Sequence, residues 1–399
     1  MNTSLRMRAS TAALATLLLA TLPAQVRTGI DVLAAEDCAR LRGRNLGLIT
    51  NHTGRTADGR RSIDVLAQAD GVQLRALFSP EHGLAGTLDA AVPDARDAAT
   101  GLPIHSLYGE HRRPTAAMLQ GLDTLVFDIQ DVGCRFYTYG STLRLCLEAA
   151  AEHGLRMVVL DRPNPLGGKA SEGPVLAEAR RDFVGAFCVP LRHGLTLGEL
   201  ARLCQGEEGL QVDLQIVRCE GWQRADLWDR TGLPWIDPSP NLRSPLQALL
   251  YPGIGLLEGT NVSVGRGTDT PFERIGAPWL DGRALQRAIH ELALPGLRCV
   301  PIEFTPRSSV HAGQRCAGVQ FLVTDWQRFE PVRSGLGVAL ALRAVAPKEW
   351  DTRRLDWLLK DAAIADGLRA GRALDELVAS WQADLRLFRM RSKPFLLYE

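Results

Sequence analysis

The chain has 399 residues, 46% of them hydrophobic, and a formal net charge of +1. That length suits two domains with a large core, at roughly 100–200 residues per domain. A near-neutral balance argues against a nucleic-acid surface or a general polyanion partner, since both show as a basic excess.

In chain order, the first segment stands apart. Met1 to Arg8 carries two arginines and no acid, and Thr11 to Leu22 is apolar with weak interruptions. Followed by Pro23-Ala24-Gln25, this predicts a secretory signal peptide over 1–24, cleaved after Ala24. The apolar run falls short of the about 20 residues that a bilayer-spanning helix needs. The expectation is therefore a periplasmic or secreted protein without stable membrane insertion. The eight cysteines are irregularly spaced and contain no CxxC. Buried free thiols are expected, with Cys299–Cys316 the one conceivable bridge.

From residue 29 the pattern alternates. Residues 45–50, 73–78, 124–130 and 156–163 read as strands; 61–69, 115–122 and 141–154 read as helices, the last closed by Gly154. Near-continuous apolar strands between helices mean a parallel sheet covered on both faces. This predicts an α/β fold: a Rossmann-like doubly wound domain over 28–185, then a second, smaller α/β domain over 186–399. In the second half, 196–206 reads as a helix with a Thr196–Glu199 capping box, and 212–219 as a strand. Residues 231–282 are loop-rich, 316–324 is strand-like, and 333–346 and most of 356–388 are helical.

Each strand of the first half runs into polar residues: Thr50-Asn51-His52, Ser79-Pro80-Glu81-His82-Gly83, Asp128-Ile129-Gln130-Asp131 and Asp161-Arg162-Pro163-Asn164. Ligands of open α/β sheets bind beyond the carboxyl ends of the strands. The chain has no phosphate-binding glycine loop in a strand–helix context, no G-x-S-x-G and no H-E-x-x-H. No cofactor and no metal are therefore expected, although His82, His193 and His311 could meet in space. What remains is carboxylates in polar loops: Glu81, Asp128, Asp131, Glu172, Glu258 and Glu273. Two such groups across a cleft suit glycoside hydrolysis, one protonating the leaving oxygen and the other acting as nucleophile, base or charge stabiliser. Tyr137, Tyr139, Trp235 and Trp279 would suit a sugar face. The structural alternative is that each acid caps a helix or pairs with an arginine.

The stretches "GLITNHTG", "LFSPEHGLAG", "TGLPIHSLYG", "RRPTAAML", "LVFDIQDVGCRFYTYGSTL", "LDRPNPLGG", "EGPVL", "PLRHGLTLGELA", "PSPNLRSPLQALLYPG" and "LLEGTNVSVGRGTDTPFERIGAPWLD" resemble the exo-acting β-N-acetylmuramidases. The resemblance runs from Gly29 to the terminal "FLLYE". It implies a Rossmann-like domain packed on a smaller α/β domain, with the cleft between them. It also implies release of N-acetylmuramic acid from the non-reducing end of peptide-free peptidoglycan fragments. Under that reading Glu81 is the first candidate for the catalytic acid, with its pKa raised by a dry strand end. His82 would orient it, and Glu172 is the second carboxylate. Asn51, Asp128, Arg135, Tyr137, Arg162, Arg192, His193, Asn261, Arg266 and Glu273 are candidate substrate contacts. Arg135, Arg162, Arg192 and Arg266 compete to hold the lactyl carboxylate of muramic acid. His52, His105 and Cys134 stand where that family commonly has glutamine, tyrosine and alanine. Two rival readings remain: an esterase or amidase of the cell wall, and a non-catalytic sugar-binding protein.

Overall fold

The computed structural model describes residues 25–86 and 93–399. The expected signal peptide lies outside these residues. Ten strands are formed among the described residues: β1 (Asn45–Thr50), β2 (Gln73–Ser79), β3 (Ala95–Arg96), β4 (Pro103–Ser106), β5 (Thr124–Asp128), β6 (Arg156–Leu160), β7 (Asp213–Val217), β8 (Arg274–Ala277), β9 (Leu297–Phe304) and β10 (Cys316–Val323). Seven build one sheet in the order β3-β4-β2-β1-β5-β6-β7, all parallel except β3. The chain switches direction across the sheet at β1, which pairs with both β2 and β5. Ile49 lies opposite both Phe78 and Phe127, and all three are fully buried. Burial from both faces explains why these strands read as unbroken apolar runs.

The mixed α/β architecture with a second, smaller sheet is the one expected. The boundary at residue 185 does not hold, because β7 still belongs to the large sheet and pairs with β6 from Arg156↔Asp213 to Leu160↔Val217. The helix Leu197–Glu208 also packs on β6 and β7, so the first unit closes only after β7. Its capping box is formed as read: Thr196 Oγ1 accepts from the Glu199 N–H, and Glu199 accepts from the Thr196 N–H.

The second sheet is antiparallel, in the order β8-β10-β9. Its strand β9 was not read from the sequence, nor was the helix Gly282–Glu291 on Asp281 as N-cap. Within the expected loop-rich segment a buried helix, Pro245–Ile254, runs into a 3-10 turn, Gly255–Gly259. Ser244 caps it by accepting from the Gln247 N–H, and Pro245 occupies the first turn, where a missing N–H costs nothing. Pro252-Gly253 hid it, because that pair reads as a breaker. Gly253 is required there: a Cβ would lie 1.9 Å from the Pro331 carbonyl oxygen, where the helix Pro331–Val345 crosses. Conversely, the helix expected over 115–122 is only turns, between Pro114 and the left-handed Gly121.

All eight cysteines are free thiols. The strand register excludes the conceived bridge, since Cys299 faces Phe321 and Cys316 faces Phe304. The buried thiols behave as small apolar side chains, and burial pushes the Cys146 and Cys204 thiols well up, the latter to about 12.

Candidate active site

A cleft of about 510 Å³ opens beside the parallel strands and is lined by residues that follow β2 (Glu81, His82), β4 (Tyr108, Arg112), β5 (Phe136, Tyr137, Thr138) and β6 (Asp182, Phe183, Val184). Pro80 ends β2, and the chain turns through two left-handed residues, His82 at φ +70° and Gly83 at φ +73°. A histidine in that region carries backbone strain that a glycine would not. The turn lifts the Glu81 carboxyl toward the first turn of the helix Tyr139–Glu152, where Thr138 Oγ1 donates to Glu81 Oε2. Glu81 is half-buried, not sealed in a dry strand end, and no cation contacts it among the described residues.

The opposite wall comes from the second half of the chain. The helix Pro245–Ile254 and its 3-10 extension bring Tyr251 and Glu258 to the cleft, joined by Arg266, Phe272, Trp357 and Leu358. Gly259 lets this turn seat, since a Cβ there would lie 2.3 Å from the Arg354 carbonyl oxygen. Glu258 is the anionic half of a salt bridge, 2.6 Å from Arg266 Nε. An aromatic row joins the two walls: Phe136–Tyr251 at 4.9 Å, Tyr137–Tyr251 at 6.2 Å and Tyr251–Phe272 at 4.8 Å between centroids. Burial pushes the phenols of Tyr137 and Tyr251 well above their ordinary value, and the charges of Glu258 and Glu81 add to it at Tyr251. Both therefore stay protonated as hydrogen-bond donors. The Tyr137 hydroxyl lies near that of Tyr139 but has no partner at hydrogen-bonding geometry among the described residues.

Glu81, His82, Tyr137 and Arg266 thus line one cleft. Glu258, named among the polar-loop acids, lines it too; the other candidate catalytic and substrate-contact residues do not, and each has structural partners. Glu172 is largely enclosed, its side chain 14% exposed; it accepts from the Val332 N–H at 2.9 Å at the start of the helix Pro331–Val345, and pairs with Arg192 at 3.2 Å. Burial raises its pKa, with Arg192 pulling the other way. Arg192 also donates to the Leu166 carbonyl. Asp128 is fully buried on Arg162 Nε at 2.6 Å and on the Ser62 hydroxyl. Arg135 donates to four carbonyls, those of Pro174, Val189, Leu358 and Leu359. Its burial pushes its pKa down to about 10. Asn51 donates to the Tyr139 hydroxyl, which in turn donates to the Pro238 carbonyl. Asn261 bridges Glu349 and Asp351, and Glu273 accepts from Gln247 and Gln320. His193 accepts from the Leu195 N–H and His311 contacts the Asn261 carbonyl, so the histidines do not converge with His82.

Glu258 was legible as a polar-loop acid but was passed over for Glu172. Arg112 and Thr138 lie in the stretches "RRPTAAML" and "LVFDIQDVGCRFYTYGSTL" but nothing there singles them out, and Trp357 gives no signal in a single sequence. The three atypical positions His52, His105 and Cys134 lie off the cleft lining. His52 contacts the Asp237 carbonyl and His105 packs on Phe78 at 5.4 Å.

An open parallel sheet, a second lobe and a carboxylate on each wall of an aromatic cleft are the features of a saccharide-processing hydrolase. Residues 46–246 match the family model for the N-terminal part of the exo-β-N-acetylmuramidase NamZ, and residues 249–398 match that for the C-terminal part. The chain belongs to this family. It is 41% identical over 379 residues to the peptidoglycan β-N-acetylmuramidase NamZ of Bacillus subtilis (strain 168), covering 94% of this chain and 92% of that protein. Two crystal structures of DUF1343 family proteins from Bacteroides fragilis NCTC 9343 share the fold. One has a TM-score of 0.88 at 36% identity, and the other 0.78 at 30%. Each covers 94% of this chain and 99% of its own.

Proposed function

We infer that this chain is a glycoside hydrolase, an exo-β-N-acetylmuramidase that releases N-acetylmuramic acid from the non-reducing end of peptidoglycan-derived saccharides. The observation that carries the reading is the pair of carboxylates on facing walls, Glu81 and Glu258, in a chain of this family. Their surroundings divide the labour. Glu258 is bound to a guanidinium, which suits a group that must be an anion while the sugar ring gains positive charge. Among the described residues Glu81 receives the neutral Thr138 hydroxyl, which suits a group that must carry a proton to the leaving oxygen. His82 shares the Glu81 turn and shapes it through its left-handed backbone. Tyr137 and Tyr251 supply neutral donors and ring faces for the sugar, and Trp357, 42% exposed at the rim, gives a platform for the next residue of the glycan.

The basic, apolar leader read over 1–24 supports export to where such a substrate lies. No helix among the described residues is long and apolar enough to cross a membrane. Fractionation of cells expressing the full chain tests the location; a protein that stays uncleaved in the cytoplasm counts against export. The activity is tested with residues 25–399 on a chromogenic β-N-acetylmuramide, with the matching β-N-acetylglucosaminide as control. Turnover of the muramide alone supports the reading. Sugar binding without turnover would instead make the chain a binding protein.

A further inference from the structure

Muramic acid differs from glucosamine by a lactyl ether that ends in a carboxylate, so a muramidase needs a cation where that group lies. The two arginines that line the cleft differ in what they already hold. Arg266 is paired with Glu258 at 2.6 Å. Arg112 has no carboxylate partner among the described residues; its contact is the Phe183 ring, 4.3 Å from the guanidinium carbon. The three acids of the lining are Glu81, held by Thr138, Glu258, held by Arg266, and Asp182, held by Lys360 at 2.5 Å. The neighbouring Arg113 is in a salt bridge with Glu152 outside the cleft.

We propose that Arg112 binds the lactyl carboxylate of the terminal N-acetylmuramic acid and thereby sets the preference for muramides over glucosaminides. The inference rests on the muramidase reading. The stack on Phe183 holds the plane of the guanidinium while leaving its N–H edge without a partner among the described residues, and that edge matches a carboxylate bidentately. The platform is itself fixed, because the Phe183 carbonyl accepts from Ser141 Oγ at 2.7 Å and Phe183 adjoins the Asp182–Lys360 pair. Arg135, Arg162 and Arg192 cannot take this role, since carbonyls and carboxylates behind the cleft occupy them.

The test compares wild type, Arg112→Gln and Arg112→Lys on the chromogenic β-N-acetylmuramide, on its lactyl methyl ester and on the β-N-acetylglucosaminide. Wild type should favour the free acid over the ester. Arg112→Gln should lose roughly 10- to 100-fold in kcat/KM on the free acid, chiefly through KM, and stay close to wild type on the ester. Arg112→Lys should fall between, keeping the charge but not the fork. An Arg112→Gln variant that still prefers acid to ester overturns the proposal. Calorimetry with N-acetylmuramic acid and N-acetylglucosamine reads the same contact without chemistry: weaker binding of the first alone supports it, and equal binding by both proteins overturns it. A wild type that binds N-acetylmuramic acid through Arg112 but hydrolyses no muramide would break the enzymatic reading while leaving this contact standing.

Discussion

Glu81 and Glu172 both sit in loops that leave the first sheet, and both are partly buried, yet they stand in opposite relations to their surroundings. Glu172 is saturated: Arg192 pairs with one oxygen, and the first N–H groups of the helix Pro331–Val345 bond the other. Glu81 has one neutral donor and open space before it. A carboxylate that is buried and fully bonded holds two parts of the chain together. One that keeps bonding capacity toward a cleft is available to a substrate. The same difference separates Arg135 from Arg112.

The largest expected effect breaks this comparison directly. Glu81→Gln should lower kcat on the muramide by roughly 10²–10⁴-fold, the range of general acid catalysis, with the melting temperature nearly unchanged. Activity near wild type would move the acid elsewhere, to Glu258 first. Glu172→Gln should do the reverse. It leaves Arg192 buried without a counter-charge and should cost roughly 3–5 kcal/mol in urea unfolding, while the fraction that remains folded turns over at the wild-type kcat.

Asp161 extends the comparison to a third acid. It is fully buried below Tyr398, Thr196 and the Gly198 N–H. Burial raises its pKa to about 6 from 3.8 despite those donors. Between these two values the folded state holds the proton that the unfolded state has released, so this group's contribution to stability falls as pH rises through the window. Asp161→Asn should flatten that part of the stability profile, as chemical denaturation at pH 4 to 7 would reveal; an unchanged slope would assign it to other groups. The smallest effect concerns the rim. Trp357→Ala should raise KM for a muramic-acid-containing disaccharide by roughly 3- to 10-fold and leave the aryl muramide less affected. Equal effects on both would place the indole against the terminal sugar.

Much of this contrast was invisible in one dimension. β1, β2, β5 and β6 were legible because strands buried on both faces leave unbroken apolar runs, and the helix Leu197–Glu208 because its cap is local. β7 was found but assigned to the wrong unit, since strand pairing is a long-range choice. Glu81, His82, Tyr137 and Arg266 line one cleft, while Asp128, Arg162, Arg192 and Glu172, which looked equally available in the sequence, do not. They share the composition and the loop context of the cleft residues and differ only in their partners.

By itself the sequence determined the α/β class and the family and marked the "SPEHG" turn as a candidate site, because these rest on periodicity and on contiguous motifs. Tertiary structure alone decided which charges remain open. Glu172 meets Val332 and Glu81 meets Thr138 across separations of 160 and 57 residues. The first is set by how the two lobes pack and the second by the order of strands in the large sheet, not by any neighbour in the chain.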